Sequence, residues 1–194
     1  MKKCFLILLI LLALTTVILA ACLTVSHERT SDVKQTCTQR IFYALHTLEQ
    51  RLGYAVYSGT YDTKESEQIQ YALASLDSLV CAAEDFYASS SIPGNHGFAD
   101  LADALGSSYS AKHNNDVVES ILFDGTVAEK ELEFLTVLWD DVKILMQPML
   151  AEDELNLRHD LTYEDIRTPL AEFLTKWGLW SNHSDAPYEL LNVE

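Results

Sequence analysis

Glycine and proline are scarce in this sequence, seven and four in 194 residues. An all-β domain needs turn-formers about every 8–12 residues, so this shortage disfavours one. Basic residues are scarce too: 13 Lys and Arg stand against 29 Asp and Glu, a formal net charge of −16. So acidic a surface repels phosphate backbones and excludes a nucleic-acid partner. Taken as structure alone, the excess charge is a solubilising surface.

Chemical motifs are also missing. There is no Walker loop, no Gly-x-Gly-x-x-Gly, no Gly-x-Ser-x-Gly and no His-Glu-x-x-His. The four cysteines (Cys4, Cys22, Cys37, Cys81) include no Cys-x-x-Cys pair, which removes zinc-ribbon and thioredoxin-like readings. None of the six histidines has Glu three residues before it, so the ferritin-like di-iron arrangement is absent. The acidic run Glu152-Asp153-Glu154 lacks the ligand spacing and Gly of an EF-hand loop. No catalytic residue, metal-ligand set or cofactor is expected. His46, beside an apolar stripe, reads as a partly buried neutral histidine. The neighbours Glu84-Asp85 and Asp140-Asp141 diverge by about 100° on a helix and read as solvated faces.

What is present begins with an anchor. Lys2 and Lys3 precede an uncharged, mostly apolar run from Cys4 to Val25, a positive n-region followed by an h-region. The lysines stay cytoplasmic and the rest is exported. Leu19-Ala20-Ala21-Cys22 resembles the lipobox of bacterial lipoproteins, which implies that the Cys22 thiol takes the lipid and Cys22 becomes the mature N-terminus. The run continues through Leu23-Thr24-Val25, which also suits an uncleaved spanning helix. Both readings put the following domain at the outer face of the cytoplasmic membrane, and free secretion, the remaining alternative, exports it to the same compartment. Residues 1–21 are thus signal peptide or membrane anchor (to 25 if uncleaved), 22–30 a linker, 31–180 the domain and 181–194 a tail.

The domain reads as all-α, an antiparallel bundle of four to six helices. A first helix from Ser31 to about Val56 carries Cys37, Ile41, Leu45, Leu48, Leu52 and Ala55 at steps of three and four. A second starts at Asp62, with Glu65 in a capping-box-like place, and repeats the pattern with Ile69, Leu73, Leu76, Val80, Ala83 and Tyr87. The turn between them falls near Ser58 to Tyr61. A third segment spans about Phe98 to Tyr109. A fourth begins at Thr126, boxed by Glu129, with a stripe of Leu132, Leu135, Trp139, Val142, Met146 and Met149 that Pro148 kinks or ends. A last helix lies within Thr162 to Trp177; Pro169 either kinks it or opens a shorter helix capped by Thr168.

In the register of the first hairpin, Leu45 faces Leu73, Phe42 faces Leu76, and Cys37 and Cys81 fall at matching heights. A Cys37–Cys81 disulfide is therefore expected in the oxidising compartment outside the membrane, with two buried thiols as the alternative. Phe173, Trp177 and Trp180 read either as the capped end of the core or as a partner surface, since Trp is enriched in binding hot spots.

Leu101 through Leu105-Gly106-Ser107-Ser108-Tyr109, and then Leu122-Phe123-Asp124-Gly125-Thr126 leading into Glu131-Leu132-Glu133-Phe134-Leu135, resemble the N-terminal helical region of YpeB-type spore-germination proteins. The resemblance covers about residues 1–150. It implies a membrane-anchored chain that holds a protein partner, in that family a cortex-lytic hydrolase, rather than one that catalyses. The propeptide-like repeats of that family have no counterpart here, and the lipobox departs from its uncleaved anchor.

The sequence thus predicts a membrane-tethered, extracytoplasmic, non-enzymatic helical module for a protein partner. A small-ligand or metal-binding lipoprotein is the rival, and an uncharacterised hydrolase the third reading. If Cys22 carries lipid, Cys22→Ala leaves a longer precursor and no label from a tagged fatty acid; an unlabelled wild type of unchanged size would favour the spanning helix instead.

Overall fold

The computed structural model describes residues 35–60, 63–87, 96–106, 109–110, 117–118, 127–152 and 156–177, together with Thr16. Among the described residues there are five α-helices: α1 (residues 35–58), α2 (Thr63–Tyr87), α3 (Gly97–Gly106), α4 (Glu129–Met146) and α5 (Tyr163–Trp177). They pack on one another, and the domain is an all-α bundle as the apolar spacing predicts. No described helix is long and apolar enough to cross a membrane. The expected anchor, from Cys4 to Val25, lies outside the described residues apart from Thr16.

The α1–α2 hairpin follows the two apolar stripes. Ile41, Leu45, Leu48, Leu52 and Ala55 of α1 and Ile69, Leu73, Leu76, Val80 and Ala83 of α2 are all fully buried. Steps of three and four keep these side chains on one side of a 3.6-residue helix, so each helix buries a continuous seam. The turn lies where expected. Gly59 takes a left-handed φ of +65°, and its N–H donates to the Ala55 carbonyl at 3.0 Å. This caps α1, a geometry that penalises any residue with a Cβ. Ser58 tightens the turn, its Oγ donating to the Thr60 carbonyl and accepting from the Thr60 N–H.

α4 lies antiparallel on α1. The Trp139 indole rests on Gly53, where a Cβ would come within 3.1 Å of the ring, and its Nε1–H donates to Glu49 at 2.9 Å. The buried positions of α4 are Phe134, Leu135, Leu138, Val142, Leu145 and Met146. The predicted stripe holds at Leu135, Val142, Met146 and Met149, while Leu132 and Trp139 sit at its half-buried edge. The start also moves. α4 begins at Glu129, and Glu131 rather than Glu129 reaches back, accepting from the Ala128 N–H at 2.7 Å. Ala128 offers no side-chain acceptor in return, so only half of a capping box forms. Pro148 acts as predicted: α4 ends at Met146 and Gln147–Met149 form one 3-10 turn.

α5 lies within the expected span and decides between the two readings of Pro169. It starts at Tyr163, with Asp165 accepting from both the N–H and the Oγ1–H of Thr162 at 2.9 and 2.8 Å. These bonds hold the Asp165 carboxyl below its ordinary range. The helix then continues through Pro169, so the alternative of a short Thr168-capped helix fails. α3 ends at Gly106 rather than continuing to Tyr109, and Tyr109–Ser110 instead pairs antiparallel with Val117–Val118.

The interior is filled by aliphatic and aromatic side chains, with Trp177, Tyr163, Phe98 and Phe134 the largest that are fully buried. Leu45 sits in the middle of the α1 seam. Leu45→Ala is expected to lower the unfolding free energy by about 2–5 kcal/mol, measured by urea titration; a loss below about 0.5 kcal/mol would show that the seam is not core.

Candidate functional site

Three features stand out from the apolar background. The first joins α2 to α5. Glu84 lies one turn beyond Val80 and is only 4% exposed. Its carboxylate accepts from the Tyr163 hydroxyl at 2.8 Å and from the Arg167 guanidinium at 3.1 and 3.3 Å. Tyr163 and Arg167 are four apart on α5, so both reach the same carboxylate. Burial raises the Tyr163 pKa far above its ordinary value, with further upward pushes from its hydrogen bond to Glu84 and from the Glu84 charge; Arg167 pulls slightly the other way. The hydroxyl therefore stays a donor. This satisfied cluster works as a structural tie, and it corrects the reading of Glu84 as a solvated residue, while Asp85 is indeed exposed.

The second feature lies where α3 starts against α2. Asp77 and Cys81 are one turn apart on α2, and His96 immediately precedes α3. His96 Nδ1 lies 3.2 Å from Asp77 Oδ2 and 3.7 Å from Cys81 Sγ. The other Asp77 oxygen accepts from the Ala99 N–H at 3.1 Å and so fixes the carboxylate against the first turn of α3. A relay of the cysteine-protease kind needs the acid on one imidazole nitrogen and the thiol on the other. Here both face Nδ1, so the three do not form a nucleophilic triad. Burial, then the charges of Asp77, Asp85 and Glu84, raise the Cys81 pKa and keep it a protonated thiol.

The third feature is a surface. Tyr43 and Tyr71 are 61% and 76% exposed. They border an open groove of about 560 Å³ between α1 and α2, lined also by Ala44, Ala74 and Ser75. Tyr43 also borders a second groove, of about 540 Å³, between α1 and the end of α4. Tyr54 and Tyr57 continue the exposed aromatic series along α1.

Set against these, the residues singled out in the sequence fall as follows. Cys22 lies outside the described residues. The Cys37–Cys81 disulfide is not formed. The two thiols turn to different partners. Cys37 Sγ points to the Leu79 carbonyl at 3.7 Å, whereas Cys81, one position past the seam residue Val80, turns to His96. Burial raises the Cys37 pKa, with Arg40 opposing. Phe173 and Trp177 are buried and form part of the core rather than a partner surface. Phe173 stacks on Phe98 with centroids 5.4 Å apart, and the Trp177 Nε1–H donates to Asp141 at 2.7 Å. Trp180 lies outside the described residues. His46 is exposed, with Gln50 as neighbour, and not partly buried as its place beside the stripe suggested. Asp140 is solvated as expected, while Asp141 turns inward to Trp177 and Lys176.

Comparison with protein-family models, curated proteins and solved structures gives no match.

The tie between α2 and α5 gives a direct expectation. Arg167→Met leaves a buried carboxylate without its cation and should cost about 2–3 kcal/mol, toward the lower side for a buried pair because the guanidinium is 30% exposed. Adding Glu84→Gln should recover part of that loss. A double variant no more stable than Arg167→Met, measured by denaturant unfolding, would argue against the charge as the cause.

Proposed function

We propose that this protein is a membrane-tethered recognition module which holds a protein partner at the outer face of the cytoplasmic membrane, through the tyrosine-bearing face of α1 and α2. The observation that carries this reading is the exposure of Tyr43 and Tyr71 across one groove. Tyrosine supplies a large, rigid and amphipathic contact at low entropic cost, which is why it concentrates in binding hot spots. Tyr163, by contrast, has its hydroxyl committed inside the bundle. The small lining residues Ala44, Ala74 and Ser75 leave space between the two helices for the side chains of a third, so the fitting occupant is a helix of the partner. A net charge of −16 favours a basic one and speeds its encounter. The lipobox-like Leu19-Ala20-Ala21-Cys22 supplies the tether in this reading, and the resemblance to YpeB-type proteins points to the same holding role.

A photo-cross-linking residue placed at Tyr43 or Tyr71 in cells should give the same discrete adduct, and one at Glu133 on the exposed side of α4 should not. Ser75→Arg, which fills the groove, should abolish the adduct while helical circular dichroism is retained, and raised salt should weaken it. Equal adducts at all three positions, or an adduct indifferent to Ser75→Arg, would count against the proposal.

A further inference from the structure

We propose that Asp77, Cys81 and His96 form a binding site for a borderline-soft divalent cation, zinc being the best fit, with one coordination position open to water. Their three donor atoms lie within 4.8 Å of one another and draw on a carboxylate, a thiol and an imidazole.

Two of the three distances between donors, those from the imidazole nitrogen, match edges of a tetrahedral zinc site. Zinc sits at about 2.0–2.1 Å from nitrogen, about 2.3 Å from thiolate sulfur and about 2.0–2.2 Å from carboxylate oxygen; a tetrahedron with those radii has N···O edges of about 3.3 Å and N···S edges of about 3.6 Å. The separations here are 3.2 Å and 3.7 Å. A hydrogen bond alone explains less of this arrangement. His96 Nδ1 carries at most one proton, and a single proton cannot bond linearly to both Asp77 and Cys81.

Local structure presents the ligands ready-made. Asp77 and Cys81 stand four apart on α2 and share a face. His96 is brought to them by the packing of α3 on α2, which includes the Ala99 N–H bond to the second Asp77 oxygen. That bond orients the carboxylate as an outer-shell partner does in metal sites. The His96 side chain is 70% exposed, so solvent reaches the fourth position. Three protein ligands with an open position is the arrangement of exchangeable and reactive zinc sites rather than closed structural ones.

Charge favours a cation and chemistry selects its type. Asp85 and Glu84 add negative potential at Cys81 beyond that of Asp77. On binding, the Cys81 S–H proton leaves to solvent and the sulfur lone pair is donated to the metal, with no change of oxidation state. Thiolate with imidazole disfavours calcium and magnesium, which prefer all-oxygen ligands. The site is separate from the tyrosine groove, which lies on the α1 side of α2.

The test uses the full-length reduced protein in detergent, titrated with cobalt(II) chloride and then zinc chloride. One equivalent of cobalt should produce a thiolate-to-cobalt charge-transfer absorption that zinc abolishes and that excess calcium or magnesium leaves unchanged. Cys81→Ser should eliminate the band and His96→Ala should weaken cobalt affinity at least about tenfold. Cys4→Ser, Cys22→Ser and Cys37→Ser should each retain it. On the wild-type chain, zinc should slow alkylation of Cys81 but not of Cys37, read by peptide mass spectrometry. A band that survives Cys81→Ser, or a Cys81 alkylation rate indifferent to zinc, would overturn the site.

Discussion

The rest of the bundle depends on the burial of one charge. Glu84 sits inside, where an unpaired carboxylate would cost several kcal/mol. It is tolerated because Arg167 and Tyr163 reach it together from adjacent turns of α5. A two-donor contact of this kind fixes the rotation of α5 about its own axis as well as its distance from α2. With α5 held, Phe173 and Leu174 are directed at Phe98 and Gly97 of α3, and Trp177 at Phe134 and Asp141 of α4. A wholly apolar contact between α2 and α5 would have allowed sliding and turning at little cost. The buried polar tie selects one arrangement from several that would bury similar area.

The helices were legible in the sequence because their apolar residues recur every three or four positions, and that periodicity is a property of the chain alone. The hairpin of α1 and α2 could be read in detail, down to its turn near Ser58 and Gly59 and to seam residues such as Leu45 and Leu73. Boundaries were less legible. The start of α4 moved from Thr126 to Glu129 because Glu131 reaches Ala128, and two acidic residues at neighbouring places compete for that role. At Pro169 local chemistry misled in one of its two readings. The helix continues through the proline because Leu170, Phe173, Leu174 and Trp177 are all buried beyond it, and their burial outweighs one missing hydrogen bond.

Polar residues were the least legible. Glu84 and Asp85 are adjacent and chemically alike, yet one is buried and the other solvated. The difference is a partner 83 residues away, Arg167, which no local pattern announces. The Asp77, Cys81 and His96 cluster was missed for a related reason. Metal-site patterns are read from short spacings, and here two ligands lie on one helix and the third stands 15 residues further along the chain. The only local signal was Asp77 and Cys81 at four-residue spacing. Cys81 was instead assigned to Cys37 by height along the hairpin, although it lies roughly 100° from Val80 around the helix axis.

The placement of the indole rings has a spectroscopic consequence. Trp139 lies in the α1–α4 contact, with the Lys143 ammonium 3.5 Å from its ring centre. Trp177 lies in the α4–α5 contact, edge-on to Phe134 at 5.3 Å and bonded to a carboxylate. Each indole is therefore a resident fluorophore for a different helix interface, one half-buried under a cation and the other in a dry aromatic cluster. In chains that retain one tryptophan at a time, emission from the two positions follows the separation of α1 from α4 and of α5 from α4 independently. Coincident or staggered loss of the two signals then distinguishes a bundle that melts as one cooperative unit from one that first sheds its C-terminal helix.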